Sequence, residues 1–240
     1  MCYKNLIAFC IRLFSKKKFK KYIEKHRLYK TKIKIDRDKF NYINVPKNRN
    51  ITISIFGSNN KIEIDKELDI RSCINIFICG NDNIIKIGKA HAIINLSMGS
   101  LDNREIFNSE FTFGDSYSGP ISYSMMENNT KITIGDNCMF SFGIEMRCSD
   151  DHTVYDNNSN KVLNMAQSIE IGDHVWICKE VLILKNTTIP DGCIVGARSV
   201  VAKRFNQKNI CICGNPARIV KENIGWDGER PDKFNESNKK

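Results

Sequence analysis

Branched residues recur every six positions in the C-terminal half of the chain, and this period constrains the fold more than any other feature. Ile or Val fills six consecutive positions six residues apart: Ile171, Ile177, Ile183, Ile189, Val195 and Val201. A period of six fits neither an α-helix, with about 3.6 residues per turn, nor a plain strand with alternating side chains. It predicts a short strand followed by a tight corner, with the branched side chain pointing inward.

The fourth residue after each branched residue is also restricted, because it must be small enough to fit beside it. These positions hold Val175, Val181, Thr187, Cys193 and Ser199. One such unit cannot bury its apolar side alone, so the units must stack into a solenoid. Cys193 is one of these inward residues, and Cys138 holds the same place four residues after Ile134, so both are expected to be core residues. We expect the ten cysteines to be reduced, because a chain of 240 residues needs no disulfide framework and contains no CxxC pair.

A looser repeat precedes the hexads. Residues 51–64 align with residues 74–87 at an offset of 23, and both segments combine alternating Ile with Gly and Asn. Gly and Asn readily adopt positive φ at corners, so these segments are expected to form earlier coils of the same solenoid. Residues 95–131 break the rhythm and are expected to form loops or irregular coils.

The net charge of +10 is concentrated at the N-terminus. Residues 1–35 contain twelve Lys or Arg and a single acid, Glu24, so the remainder is nearly neutral. Apolar residues recur between these lysines at roughly helical spacing, which predicts a basic amphipathic helical segment over residues 1–40. Such a segment either meets an anionic membrane or a polyanionic acceptor, or packs on the body through one face.

No apolar run is long enough to span a bilayer, and no cleavage site follows the basic N-terminal stretch. The expected location is therefore the cytoplasm, including the inner face of the cytoplasmic membrane. We expect no nucleic acid partner.

Several segments of the sequence resemble the bacterial hexapeptide-repeat acyltransferases. They are Gly172-Asp-His-Val-Trp-Ile, Val195-Gly-Ala-Arg-Ser-Val-Val-Ala-Lys and Gly214-Asn-Pro-Ala-Arg-Ile-Val-Lys. Within that superfamily, Arg147-Cys-Ser-Asp-Asp-His-Thr-Val-Tyr-Asp, with Trp176 placed 24 residues after His152, is similar to O-acetyltransferases of polysialic acid and other capsular polysaccharides. The resemblance is close over about residues 130–225. Over residues 50–130 it extends only to the general type of repeat.

The resemblance implies an all-β fold, a left-handed parallel β-helix with about three hexads per turn. It places this acyltransferase domain at residues 41–213, between the N-terminal segment and a CoA-contacting tail at residues 214–240. The left hand is an exception to the usual right-handed crossover. A homotrimer is implied as well, with active sites in the clefts between neighbouring subunits.

The activity that the resemblance implies is transfer of acetyl from acetyl-CoA to a sugar hydroxyl of a bacterial surface polysaccharide, sialic-acid glycans included. An unactivated hydroxyl is a poor nucleophile and needs a base. His152 matches the catalytic position of the family, suits proton transfer near neutral pH and lies in a polar stretch, residues 149–167, that leaves the hexad register. The acids near it in sequence, any of which is a candidate to orient the ring, are Glu145, Asp150, Asp151 and Asp156.

Trp176 is expected at a hexad corner, where a large ring has no room to point inward and lines the cleft instead. The resemblance gives it a role in binding the cofactor or the oxyanion. The further cofactor contacts that the resemblance implies are Lys179, Ala197, Lys203, Pro216, Arg218 and Lys221. The cations among them suit the phosphates of coenzyme A. Cys178 and Arg198 replace glycines that are usual in this pattern, so they bear on the shape of the cofactor channel.

Three other functions fit the same sequence. A sugar-nucleotide N-acetyltransferase has the same fold, which alone does not separate the two. A metal-dependent hydratase of this architecture needs three histidines that converge on zinc, and the body offers only His91, His152 and His174, so no metal is expected. A non-catalytic scaffold would present the basic segment and would neither bind nor hydrolyse acetyl-CoA.

Overall fold

The computed structural model describes residues 30–36, 40–47, 49–100, 102 and 104–237. The basic helix predicted for residues 1–40 lies largely outside these residues. The strands are, in chain order, β1 (Lys32–Ile35), β2 (Tyr42–Asn44), β3 (Asn50–Phe56), β4 (Lys61–Ile64), β5 (Cys73–Asn81), β6 (Ile84–Ile87), β7 (His91–Met98), β8 (Ile106–Phe107), β9 (Glu110–Phe113), β10 (Tyr117–Met125), β11 (Lys131–Ile134), β12 (Met139–Phe140), β13 (Ile144–Arg147), β14 (Ile169–Ile171), β15 (Trp176–Ile177), β16 (Leu182–Leu184), β17 (Thr187–Ile189), β18 (Ile194–Val195), β19 (Val200–Val201), β20 (Cys211–Gly214) and β21 (Ala217–Lys221).

The described residues also form one helix, α1 (Pro231–Ser237). No helix in the described part of the chain is both long enough and apolar enough to cross a bilayer.

The strands stack in parallel into three lines along one axis. The first line contains β1, β3, β5, β7, β10, β12, β15, β18 and β20, the second contains β13, β16 and β19, and the third contains β2, β4, β6, β9, β11, β14 and β17. The long strand β10 pairs with both β12 and β13, so it spans the first two lines. Successive hexads fill the three lines in turn, and the chain is a left-handed parallel β-helix, as predicted.

The hexad pattern is confirmed by the core. All six branched residues from Ile171 to Val201 are at most 1% exposed, and the small residues from Val175 to Ser199 are equally buried. The corners follow the same period, because left-handed backbone recurs every six residues, at His174, Glu180, Asn186, Gly192 and Arg198. Each hexad therefore consists of a short buried strand and one left-handed corner.

The looser repeat is also confirmed. Ile51 pairs with Ile74 and Ile64 with Ile87, at the predicted offset of 23. The loops or irregular coils predicted for residues 95–131 are confirmed only in part. Strands β9 and β11 stack in register with the coils on either side, whereas β10 pairs with β7 across a register shift between Tyr117 and Pro120. Aromatic side chains occupy part of their interior, because Phe111, Phe113 and Tyr123 are fully buried in addition to Ile121, Ile132 and Ile134.

The solenoid begins before residue 41, the boundary predicted from the sequence. Strand β1 pairs in parallel with β3, which places Lys32 to Ile35 in the first coil. At the other end, β21 folds back and pairs antiparallel with β20.

Aspartate side chains connect successive coils at the corner between the third and first lines. Asp115, Asp136, Asp173 and Asp191 each use Oδ1 to accept a backbone N–H from the preceding coil, at 2.7–3.0 Å. This arrangement leaves little room beside the earlier coil. At Gly135, a Cβ would overlap Asp173 Oδ1 and would lie 2.7 Å from the carbonyl carbon and oxygen of Gly172.

One coil carries a long insertion. Equivalent residues are 37 apart across the coil that contains residues 149–167, but 18 apart in the next coil. This segment, the insertion loop, follows β13 and precedes β14, so it leaves the solenoid at the corner between the second and third lines. The polar stretch that the sequence placed outside the hexad register is therefore this loop.

Candidate active site

His152 lies on the insertion loop, and its side chain is exposed. The loop is a hairpin, in which the Leu163 N–H donates to the Val154 carbonyl at 2.8 Å. Its base is closed where the Gln167 N–H donates to the Cys148 carbonyl at 3.0 Å. His152 is thus presented to solvent from a loop whose two ends are fixed to the solenoid.

None of the four acids proposed to orient His152 forms a hydrogen bond with its ring. Each bonds another side chain: Glu145 to Arg147, Asp150 to Asn164, Asp151 to Ser149 and Asp156 to Ser159. The imidazole of His152 forms no hydrogen bond to any described residue. Hydrogen bonds from Lys185 and Asn164 hold the pKa of Asp150 below its usual range, so this carboxylate is ionised beside the loop.

The sequence analysis expected Trp176 at a corner, but the structure places it elsewhere. The corner residue is His174, with φ 54°, and Trp176 begins β15. Its indole points outward, because the next residue, Ile177, is the buried one. The ring of Trp176 therefore points outward, as expected, but from a strand and not from a corner.

Sequence reasoning missed Trp226, the other tryptophan of the chain. Its ring stacks on His174 with the centroids 4.2 Å apart, and its Nε1–H donates to the His174 carbonyl at 2.8 Å. The ring of Trp226 is also 6.0 Å from that of Trp176. The only signal in the sequence is rarity, since the chain has two tryptophans.

Strand register aligns Trp176 with the C-terminal hairpin. Trp176 pairs with Ile194, Ile194 with Cys211 and Cys211 with Lys221. All four residues are at least partly exposed on the same face of the solenoid. Neighbouring strands are about 4.8 Å apart, so Trp176 and Lys221 are about 14 Å apart along this face.

The other predicted cofactor residues fall at three places. Pro216, Arg218 and Lys221 share the β20–β21 hairpin, and all three are exposed. Lys179 and Ala197 lie at stacked corners between the first and second lines, where the Arg198 N–H donates to the Lys179 carbonyl at 2.9 Å.

Lys203 lies elsewhere, after β19 at the corner between the second and third lines. Its ammonium is 4.8 Å from the ring centroid of Phe205. Within this chain, Lys203 therefore shares an edge of the solenoid with the insertion loop and not with Trp176.

The two departures from glycine have local explanations. Arg198 Nε donates to Glu180 Oε2 at 2.7 Å, so the two left-handed corners of successive coils are joined by an ion pair. Cys178 is half-buried, and burial raises the pKa of its thiol. Burial likewise raises the pKa of Cys138 to about 11 and that of Cys148 to about 12. These thiols are protonated near neutral pH and are poor nucleophiles.

The histidines of the body have separate surroundings. The ring of His91 stacks on Tyr117 at 4.8 Å, and that of His174 stacks on Trp226. Within the residues that the structure describes, no three His, Cys, Asp or Glu side chains form a group suited to hold a metal ion.

A parallel β-helix built from hexad coils is the fold of the hexapeptide-repeat acyltransferases. No family model matches the chain. The chain is 31% identical over 176 residues to the polysialic acid O-acetyltransferase of Neisseria meningitidis, which covers 72% of this chain and 78% of the relative. It is also 31% identical over 105 residues to the polysialic acid O-acetyltransferase of Escherichia coli O1:K1 / APEC. That match covers 43% of this chain, which spans only 34% of the E. coli relative.

Solved structures agree with this assignment. The polysialic acid O-acetyltransferase OatWY superposes with a TM-score of 0.59 and 27% identity, over 87% of this chain and 93% of that one. The polySia-specific acetyltransferase NeuO superposes with a TM-score of 0.61 over 83% and 84% of the two chains, and at 22% identity it supports the fold. The chain belongs to the polysialic acid O-acetyltransferase family. This membership confirms the prediction from the sequence that the chain is an O-acetyltransferase.

Proposed function

We propose that the chain transfers an acetyl group from acetyl-CoA to a hydroxyl of a sialic-acid-containing bacterial surface polysaccharide, with His152 as the general base. The acceptor is carried over from relatives that are named polysialic acid O-acetyltransferases. The twelve basic residues among residues 1–35 also favour an anionic polymer, because opposite charge raises the local concentration of acceptor.

The chemistry is a direct transfer. Imidazole of His152 takes the proton of the sugar hydroxyl as the oxygen attacks the thioester carbonyl, a C–O bond forms and the C–S bond then breaks. The proton passes to the departing thiolate of coenzyme A. The negative oxygen of the tetrahedral intermediate needs preplaced donors, and the indole N–H of Trp176 is our candidate. The high pKa values of the buried thiols argue against an acyl-cysteine route.

The face between Trp176 and Lys221 suits an extended acetyl-CoA molecule. Its length of about 14 Å matches a stretched pantetheine arm, with the thioester near Trp176. The cationic hairpin that carries Arg218 and Lys221 would then meet the phosphates. Lys179, Ala197 and Pro216 flank this path, and Lys203 would reach it from another protomer.

The single observation that carries the proposal is the separation of His152 from Trp176. The insertion loop leaves the corner between the second and third lines, whereas Trp176 begins a strand of the first line. If both act on one acetyl group, the site needs two copies of the chain, which fits a homotrimer with sites in the clefts between neighbours. Four apolar side chains of the loop are more than half exposed and would pack across such a cleft: Val154, Tyr155, Leu163 and Met165.

The test is thiol release from acetyl-CoA in the presence of polysialic acid, a neutral capsular glycan or an amino-sugar nucleotide, with the product located by mass spectrometry. We expect ester formation on polysialic acid. His152→Ala should lower kcat by about a hundredfold to ten-thousandfold, to a residual rate that can still be measured, while oligomer mass and affinity for coenzyme A stay unchanged. Lys86→Met, far from the site, should keep full activity. Full activity of His152→Ala removes this base, and acetylation at the amine of the nucleotide favours an N-acetyltransferase. A monomer that is fully active excludes the composite site.

A further inference from the structure

The backbone around His152 is held by one side chain, Asn164. Its Nδ2 donates to the His152 carbonyl at 2.8 Å and to Asp150 Oδ2 at 2.9 Å. Its Oδ1 accepts the Val154 N–H at 2.8 Å. One amide therefore bridges residues 150, 152 and 154 on the opposite strand of the hairpin.

The three bonds fix the orientation of this amide. A flip of Asn164 would place its NH₂ group against the Val154 N–H and its oxygen against both the His152 carbonyl and the Asp150 carboxylate. All three contacts would then become repulsive. The segment that carries His152 offers one donor and two acceptors to residue 164, and the side chain of asparagine satisfies all three.

Lys185 connects this arrangement to the solenoid. It follows β16, which contains the fully buried Ile183, and its own side chain is only 18% exposed. Lys185 Nζ donates to the Asn164 carbonyl at 2.7 Å and to Asp150 Oδ2 at 2.5 Å. The ammonium therefore holds both strands of the hairpin at its base, on a corner fixed by the packed core.

We propose that Asn164, Asp150 and Lys185 are positioning residues that set where the His152 ring stands relative to the acceptor hydroxyl. They form no hydrogen bond with the ring and act through the backbone on either side of it. This inference rests on the proposed role of His152 as general base. It gives Asp150, one of the four acids considered as ring partners, a different role, because its carboxylate accepts hydrogen bonds from Asn164 and Lys185 and none from the ring.

The first test is the split between kcat and KM. Loss of the support should lower kcat of Asn164→Ala by about tenfold to a hundredfold, because displacement of a reacting group by about 1 Å can have an effect of this size. The KM for acetyl-CoA should stay close to that of wild type, and the melting temperature should fall only slightly, because the lost bonds lie on an exposed loop. Lys185→Met should behave similarly, and Lys185→Arg should recover most of the activity, since a guanidinium can donate to both acceptors.

A matched control is Lys86→Met, which removes a different lysine–carboxylate pair, to Glu110, on earlier coils. Its kcat should equal that of wild type. Asn164→Asp is a second informative variant, since it keeps the shape and the acceptor for Val154 but loses both donors. It should be at least as slow as Asn164→Ala.

A double-mutant cycle separates this inference from the proposed function. If Asn164 acts through His152, the residual rate of His152→Ala with Asn164→Ala should match that of His152→Ala alone. An equal fold-loss from Asn164→Ala in both backgrounds overturns the positioning role. Strongly slowed His152→Ala beside fully active Asn164→Ala overturns it too, and leaves the base intact. Full activity of His152→Ala defeats both.

Discussion

The aspartate contacts between coils predict that a single methyl group at Gly135 will destabilise the solenoid. Gly135 has no left-handed backbone, so the destabilising part of Gly135→Ala comes from lack of space and not from a strained dihedral angle. The new Cβ overlaps Asp173 Oδ1 and presses on the Gly172 carbonyl. Relief requires the Asp173 carboxylate to swing away, which ends its hydrogen bond from the Asp136 N–H at 2.8 Å.

The expected loss can be worked out from these contacts. A hydrogen bond to a charged group contributes about 1.5–3 kcal/mol. Overpacking adds about 1–3 kcal/mol. Replacing glycine by alanine also lowers the entropy of the unfolded chain, which offsets about 0.4–1 kcal/mol. The free energy of unfolding should therefore fall by about 2–5 kcal/mol.

The assay is urea unfolding followed by circular dichroism at one fixed protein concentration. Gly228→Ala is the matched control, because its new methyl meets no heavy atom within 4 Å. Asp173→Ala isolates the part of the loss that belongs to the hydrogen bond. Equal unfolding midpoints for Gly135→Ala and Gly228→Ala would refute the reasoning.

Three further predictions concern the loop and the cofactor face. Lys221→Ala should weaken coenzyme A binding by about tenfold or more, because a charge-assisted bond to phosphate is lost; unchanged affinity by calorimetry would count against this face. Burial raises the pKa of Cys211 to about 11, so its alkylation by iodoacetamide should keep accelerating from pH 8 to 10, and a plateau near pH 9 would be inconsistent. The pKa of folded Asp150 is lowered by hydrogen bonds from Lys185 and Asn164, so this carboxylate stabilises the fold above its unfolded pKa of about 3.9 and stops doing so as pH falls through the lower folded value. The melting temperature of wild type should thus exceed that of Asp150→Asn at pH 6 by more than it does at pH 3, and a difference independent of pH would disprove the coupling.

The regular coils could be predicted because each hexad repeats the same three structural features. A branched residue inside, a small residue beside it and a left-handed corner recur without change from Ile171 to Val201. The prediction was incomplete in the middle coils, where aromatic side chains occupy interior positions that branched residues hold in the later coils. Phe111, Phe113 and Tyr123 occupy part of the interior of the middle coils, so the coils continue although the run of Ile is interrupted.

The site was predicted less completely, because its geometry depends on contacts between distant residues. Trp176 was expected at a corner, but the left-handed residue is His174, and Trp176 lies two residues further on, at the start of β15. Trp226 reaches His174 across 52 residues of sequence, and Lys185 reaches Asp150 across 35. No local pattern encodes either contact.

The reversed strand β21 bears on the finite length of the molecule. A parallel solenoid ends in an open row of backbone donors and acceptors, which is a template for end-to-end growth into filaments. Here β21 pairs with β20 and covers this row on the first line, whereas β19 and β17 are the last strands of the second and third lines. The covering strand carries Arg218 and Lys221, whose like charges oppose stacking of a second copy on this line. The turn at residues 214–217 therefore ends parallel stacking on the first line, and a second copy that stacked end to end would have to displace β21 from β20.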